Sequence, residues 1–244
     1  MSTTELEAGS ISGVRLPDSK LAREATELVR DTESPLLFNH STRVYYFGAL
    51  AGARRGLKFD PELLYIGAMF HDMGLTPRYS SKADRFEVDG ANSAQAFLRQ
   101  HNISEQDIYT VWTAIALHTT PGIPQYMHPV VALVTAGVEM DVLGIEYVDF
   151  SDADREAVIR AYPRSAYFKE DIIRATTDDL RQRQGRCLGG QRSQLSKGKL
   201  LRDNPPFRLA RLRICAHFQE KRKCRKRHTS RKRIGRPLTS TLLI

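Results

Sequence analysis

Imidazole and carboxylate side chains interrupt segments of the chain that are otherwise apolar. His71 and Asp72 end the run Ala68-Met69-Phe70-His71-Asp72-Met73-Gly74, His40 lies on the apolar stretch that follows Ser34-Pro35, and Asp141 sits inside Val138-Glu139-Met140-Asp141-Val142-Leu143. Burying even a neutral polar group without a partner costs roughly 2–7 kcal/mol, so such residues must be satisfied by something. A metal ion satisfies both types at once. Two imidazoles and two carboxylates form a mixed nitrogen and oxygen set, suited to one divalent transition ion. Zinc is favoured, with iron, manganese, cobalt and nickel as alternatives, and calcium is disfavoured. Where coordination stays open, a bound ion brings the pKa of its water down to about 7 and makes a nucleophile available at neutral pH. Each residue alone has a plainer reading: His40 as a hydrogen-bonded core residue, Asp141 as an ion-pair partner of Arg43. The ordered set on three apolar helices is what points to a metal.

The elements that carry these residues read as helix after helix. Asp18 or Ser19 can cap a helix through Leu21, Ala25, Leu28 and Val29. Ser34-Pro35 and Asp60-Pro61 are N-cap and first-turn signals, the second opening a helix that Gly74 can end. Ser104 with Asp107 makes a capping box, and His128-Pro129 opens the apolar run Val130 to Val142. Ser151 with Asp154 starts a helix that stops by Pro163, and Phe168 to Leu180 forms one more. Period-two alternation is scarce, so the expected fold is all-α, a bundle of about seven helices. Two polar stretches interrupt it, Leu75 to Phe86 directly after His-Asp and Thr119 to Met127 between His118 and His128. A loop in either place can cover a site.

The pattern His40, His71-Asp72, Asp141 on an all-α bundle resembles the HD-domain superfamily of metal-dependent hydrolases. Within it, the chain looks most like the cyanamide hydratases through Asn39-His40-Ser41-Thr42-Arg43-Val44-Tyr45-Tyr46-Phe47-Gly48, Phe70-His71-Asp72-Met73-Gly74, Phe86-Glu87-Val88-Asp89-Gly90 and Ala114-Ile115-Ala116-Leu117-His118. The resemblance spans roughly residues 20–175. It implies that His40, His71, Asp72 and Asp141 are metal ligands and that the reaction is the addition of water to cyanamide, giving urea. Asp72 and His118 are then the catalytic candidates, His118 as proton relay or as a partner of the ligands. Arg43, Thr76, Arg78, Tyr79 and Phe86 are candidates for contacting a small-molecule substrate. Many phosphohydrolases of the superfamily place Lys or Glu shortly after His-Asp, where this chain has Leu75 and Thr76. Phosphate esters call for fixed positive charge, so a phosphohydrolase is the alternative reading. His101, His118 and His128 could supply a second metal site, but a single ion is expected.

Charge divides the chain. Residues 1–180 hold 17 basic and 26 acidic side chains, residues 181–244 hold 20 and 2, and all three cysteines fall in the second part. The expected organisation is a flexible N-terminus over 1–17, a helical domain over 18–180 and a basic tail over 181–244. That tail reads as disordered, or as sequence translated out of frame. Clustered cations such as Lys221-Arg222-Lys223 and Arg231-Lys232-Arg233 allow contact with nucleic acid through the tail alone. Absence of an 18-residue apolar window and of a secretory leader argues against a membrane and for a cytoplasmic location, with a homo-oligomer compatible.

Overall fold

The computed structural model describes residues 10–81 and 83–177. These belong to one of two compact units of the chain; the other, Gln194–Ile244, lies outside the described residues, as do the expected boundary near 180 and the basic tail.

Residues 10–15, read as part of a flexible N-terminus, contain a small antiparallel pair, β1 (Ser10–Ile11) with β2 (Val14–Arg15). Ile11, Val14 and Leu16 pack against the core. Every further regular element among the described residues is helical. Ser19 Oγ accepts from Ala22 N–H at 3.0 Å and starts α1 (Lys20–Thr32). Ser34 does the same for α2 (Pro35–Arg54), and Asp60 takes the Glu62 and Leu63 amides at the head of α3 (Pro61–Phe70). Proline at the first helical position of α2 and α3 removes an amide that would have no partner there. α4 (Phe86–Gln100) follows, then α5 (Glu105–Leu117), α6 (Pro129–Val138) and α7 (Asp152–Ala161). Residues 168–177 are helical as well, making eight helical segments among the described residues against about seven expected.

The additional one is α4. Its first residue is preceded by Arg85, which provides no side-chain cap, and its interior holds Gly90, Asn92 and Ser93, all weak helix formers. Packing rather than propensity makes it a helix: Ala91, Ala94 and Leu98 are fully buried in the core. The other difference lies at Gly74. α3 ends four residues earlier, at Phe70; His71 caps it, and a 3-10 turn (Met73–Leu75) follows. Gly74 does not stop a helix. It makes room, because a Cβ there would lie 2.0 Å from the Phe86 carbonyl oxygen at the head of α4.

The core lies between α2, α3 and α6, whose inward faces carry Val44, Phe47, Leu64, Ile66, Met69, Leu133 and Val134. α2 and α6 approach through small residues. A Cβ on Gly137 would stand 2.2 Å from the Val44 carbonyl oxygen, and one on Gly48 would stand 2.7 Å from that of Leu133. The run that begins at Pro129 does not continue as one regular helix to Val142: after Val138 it widens into a π turn (Glu139–Leu143) and leaves through Gly144 at φ 67°. Asp141 sits in that turn. Turns of this kind reorient side chains locally and concentrate at functional positions.

Because the helices meet backbone to backbone at these glycines, a methyl group cannot be absorbed by a rotamer change. Gly74→Ala and Gly137→Ala should each destabilise the domain by about 1–3 kcal/mol, read as a lower midpoint in chemical denaturation with an unchanged slope.

Candidate metal centre

His40, on α2, and the pair His71-Asp72, at the end of α3, meet in the interior with at most 2% of their surface exposed. One nitrogen of each ring is already committed. His71 Nδ1 lies 2.7 Å from the Ala68 carbonyl oxygen, and His40 Nδ1 lies 2.7 Å from Asp141 Oδ2. A carbonyl or carboxylate oxygen only accepts, so each Nδ1 carries the proton and each neutral ring is left with a bare lone pair on Nε2. Those two Nε2 atoms face each other at 3.2 Å. Asp72 Oδ2 lies 3.3 Å from His71 Nε2 and 3.7 Å from His40 Nε2, and it is buried with no hydrogen-bond partner among the described residues. Two nitrogen lone pairs and a carboxylate oxygen, all within 4.8 Å of one another, converge on a point where no donor stands. A divalent cation relieves that repulsion, and the donor set is one that zinc or a similar ion takes.

His118, the C-cap of α5, completes the ring of imidazoles. Its Nδ1 donates to the Ile115 carbonyl oxygen at 2.6 Å, its plane stands at 88° to that of His71 with centroids 4.9 Å apart, and its Nε2 is 3.9 Å from Asp72 Oδ1. That last distance is too long for a hydrogen bond and short enough for a shared proton carrier such as water. The Phe86 ring meets that of His118 edge to face, with centroids 5.6 Å apart.

The electrostatics follow from burial and from neighbours. Burial penalises an ionised Asp72, but His71, then His40 and His118, more than offset it, and the carboxyl stays well below its usual range. Burial also opposes protonation of His71; the Asp72 charge beside it outweighs this and raises its affinity for a proton. His118 is pushed down to about 4 by burial and by His71. His40 is lowered by burial despite its bond to Asp141.

A pattern describing the HD domain matches residues 37–159. The chain belongs to the HD-domain family. Members of this family are generally metal-dependent hydrolases that bind divalent ions, and the three converging donors fit such an ion here. No curated protein matches the chain.

Within this HD domain, Asp141, the fourth ligand that the resemblance implies, is bonded to one of the other three. It stands on the far side of His40, accepting from Nδ1, and is not among the three converging donors. Arg43 Nη2 donates to Asp141 Oδ2 at 2.9 Å and Arg43 Nε to Oδ1 at 2.9 Å, while Arg164 Nη2 donates to Oδ1 at 2.6 Å. A direct bond from Asp141 to an ion requires this carboxylate to exchange its hold on His40 for the metal. In the described geometry it fixes the ring that presents Nε2, the familiar carboxylate–histidine–metal relation.

The substrate-contact candidates divide. Arg43 is wholly buried and committed, its remaining Nη1 donating to the Tyr162 and Pro163 carbonyls, so it braces Asp141 and is not presented to a substrate. The plainer reading of Asp141 as its ion-pair partner describes that contact. Thr76 is buried and spends its hydroxyl on the Met73 carbonyl. Arg78 is exposed and lies over the half-buried Tyr79 ring. Phe86 alone of the five is seen against a ring of the centre. His101 pairs with Glu24 and the Phe97 carbonyl, and the exposed His128 caps α6, so neither joins a second metal site among the described residues. Sequence reasoning missed Arg164 and Phe168. The latter sits 5.7 Å from His40 with the guanidinium groups of Arg43 and Arg164 over it. Both follow the helix break at Pro163; the sequence marks Phe168 only as the start of a helix, and no motif marks Arg164.

A proton on His71 Nε2, favoured by the Asp72 charge beside it, competes with a metal ion for the same lone pair. Affinity for zinc should therefore fall as pH drops through the raised His71 value and level off above it, with protons released on binding, measured by calorimetry in buffers of different ionisation enthalpy. Asp141→Ala should weaken zinc binding about 10–100-fold by freeing the His40 ring, measured by competition with a chelating dye.

Proposed function

We propose that this HD domain adds water to a small uncharged substrate at a single divalent ion held by His40, His71 and Asp72, and that cyanamide, yielding urea, is its substrate. The observation that carries this reading is the convergence of two imidazole lone pairs on the unpartnered Asp72 Oδ2. An ion bound there supplies a Lewis acid and an acidified water.

The chain's own groups do the rest. His118 Nε2 faces the same carboxylate without a proton, because Nδ1 carries it, and its depressed proton affinity keeps the ring neutral at physiological pH. It is placed to accept a proton at Nε2 from the attacking water and to return it to the nitrogen that receives the electron pair of the breaking π bond. His118 is buried with Phe86 packed against it, and exclusion of bulk water strengthens the interactions in the site.

Charge supports a neutral substrate over a phosphate ester. A phosphate needs fixed cations around its oxygens, and the described arginines nearby are engaged: Arg43 and Arg164 on Asp141, Arg85 on Glu87 and Thr119. Arg78 lies over Tyr79 at the surface.

Metal-replete protein should convert cyanamide to urea, with turnover falling to background in His71→Ala, whose fold is checked by circular dichroism. Absence of turnover by folded, metal-loaded protein would overturn the hydratase reading and shift it to hydrolysis of nucleotides and other phosphate esters.

A further inference from the structure

α4 begins without a side-chain cap from Arg85, yet its first turn carries two buried acids, Glu87 at 1% and Asp89 at 6% exposure. An anion in the first turn of a helix faces amides that lack a helical partner, which favours it; burial does not, so each needs further donors. Asp89 Oδ2 accepts from the Ser81 amide at 2.6 Å and so holds the polar stretch that follows His71-Asp72. Glu87 holds the other stretch. Its Oε1 accepts from Thr119 Oγ1 at 2.5 Å and from Arg85 Nη2, its Oε2 accepts from Arg85 Nε at 3.2 Å, and Arg85 Nη2 also donates to Thr119 Oγ1 at 3.3 Å. Burial opposes the charge on Glu87; the bonds from Arg85 and Thr119 outweigh it and hold the carboxyl below its ordinary range.

Thr119 is the residue after His118, which closes α5. α4 therefore grips this histidine twice. Phe86 packs against its ring, and Glu87, the next residue along, bonds the side chain that follows it. The same part of α4 meets the turn that carries Asp72. A Cβ on Gly90 would lie 2.9 Å from the Phe70 carbonyl oxygen and 3.2 Å from that of His71. The start of α4 thus touches both chain segments whose separation sets the 3.9 Å between His118 Nε2 and Asp72 Oδ1.

We propose that Glu87 is a positioning residue of the centre, which through Thr119 fixes the turn that aims His118 at Asp72. A carboxylate suits the task because one oxygen accepts from both Thr119 and Arg85 while the other takes a second bond from the same guanidinium. The consequence for turnover rests on the water-adding reading above, whereas the placement of His118 does not.

Proton NMR of the whole zinc-loaded chain tests that placement. The Nδ1 protons of His40, His71 and His118 are each buried and hydrogen-bonded, and that of His118 is the one lost in His118→Gln. In Glu87→Ala, and in Thr119→Val at an exposed position, the His118 signal should shift and exchange with water about 10-fold faster. The His40 and His71 signals and the zinc content should stay as in the wild type. Glu87→Gln keeps an acceptor for Thr119 and should restore the His118 signal. A role in stability alone would lower the denaturation midpoint and leave all three signals in place. With cyanamide, Glu87→Ala should lower kcat roughly 10–100-fold with little change in KM, and Glu87→Gln should recover most of it. An unmoved His118 signal in Thr119→Val, three signals that move together, or a Gln variant no better than Ala would each overturn the proposal. If the wild type makes no urea, the hydratase reading falls, and the imidazole signals alone decide Glu87.

Discussion

The structure turns on the commitment of imidazole Nδ1 protons. His71 and His118 give theirs to carbonyls one turn back in their own chain, and His40 gives its proton to Asp141. Once those bonds are made, each ring has only its Nε2 lone pair to offer, and the fold points the lone pairs of His40 and His71 at each other beside a buried carboxylate. No protein donor among the described residues relieves this. A cation or a trapped proton must, and a free-energy penalty that would count against the fold becomes the source of its affinity for an ion.

Around that point the architecture is a set of close approaches. Gly48 and Gly137 let α2 and α6 touch, which brings His40 and Arg43, one turn apart on α2, to the π turn that holds Asp141. Arg43 and Arg164 hold the carboxylate from behind. Such a buried ion pair adds little net stability, because desolvation offsets much of the attraction, but losing either partner leaves an uncompensated charge. Its contribution here is orientation: a carboxylate fixed by two guanidinium groups cannot rotate, so neither can the ring bonded to it. Gly74 plays the matching part on the other side, letting α4 close over the turn that carries Asp72 and placing Phe86 against His118.

Much of this was legible in the chain before any coordinates. Ser19, Ser34, Asp60, Ser104 and Ser151 marked helix starts that the structure shows capped, because a side-chain oxygen next to orphan amides is a local signal. The pairing of His40 with His71-Asp72 was legible because polar groups on apolar faces need a partner. α4 was not, since its helicity comes from tertiary burial of alanines against weak intrinsic propensity. Nor was the bond of Asp141 to His40: the widening of a helix into a π turn that carries Asp141 leaves no periodic trace. Arg164 lies in the connection after α7, where sequence reads as loop and the contact with Asp141 is made across 23 residues of chain.

The central claim is that two imidazoles and one carboxylate of this chain hold a divalent ion in the interior. X-ray absorption fine structure of the zinc-loaded protein tests it most directly. The account predicts one tightly bound zinc per chain in a nitrogen and oxygen environment, with the multiple-scattering signature of two imidazole rings that is reduced to one in His40→Ala. A zinc environment without imidazole scattering, or one unchanged by that substitution, would contradict it.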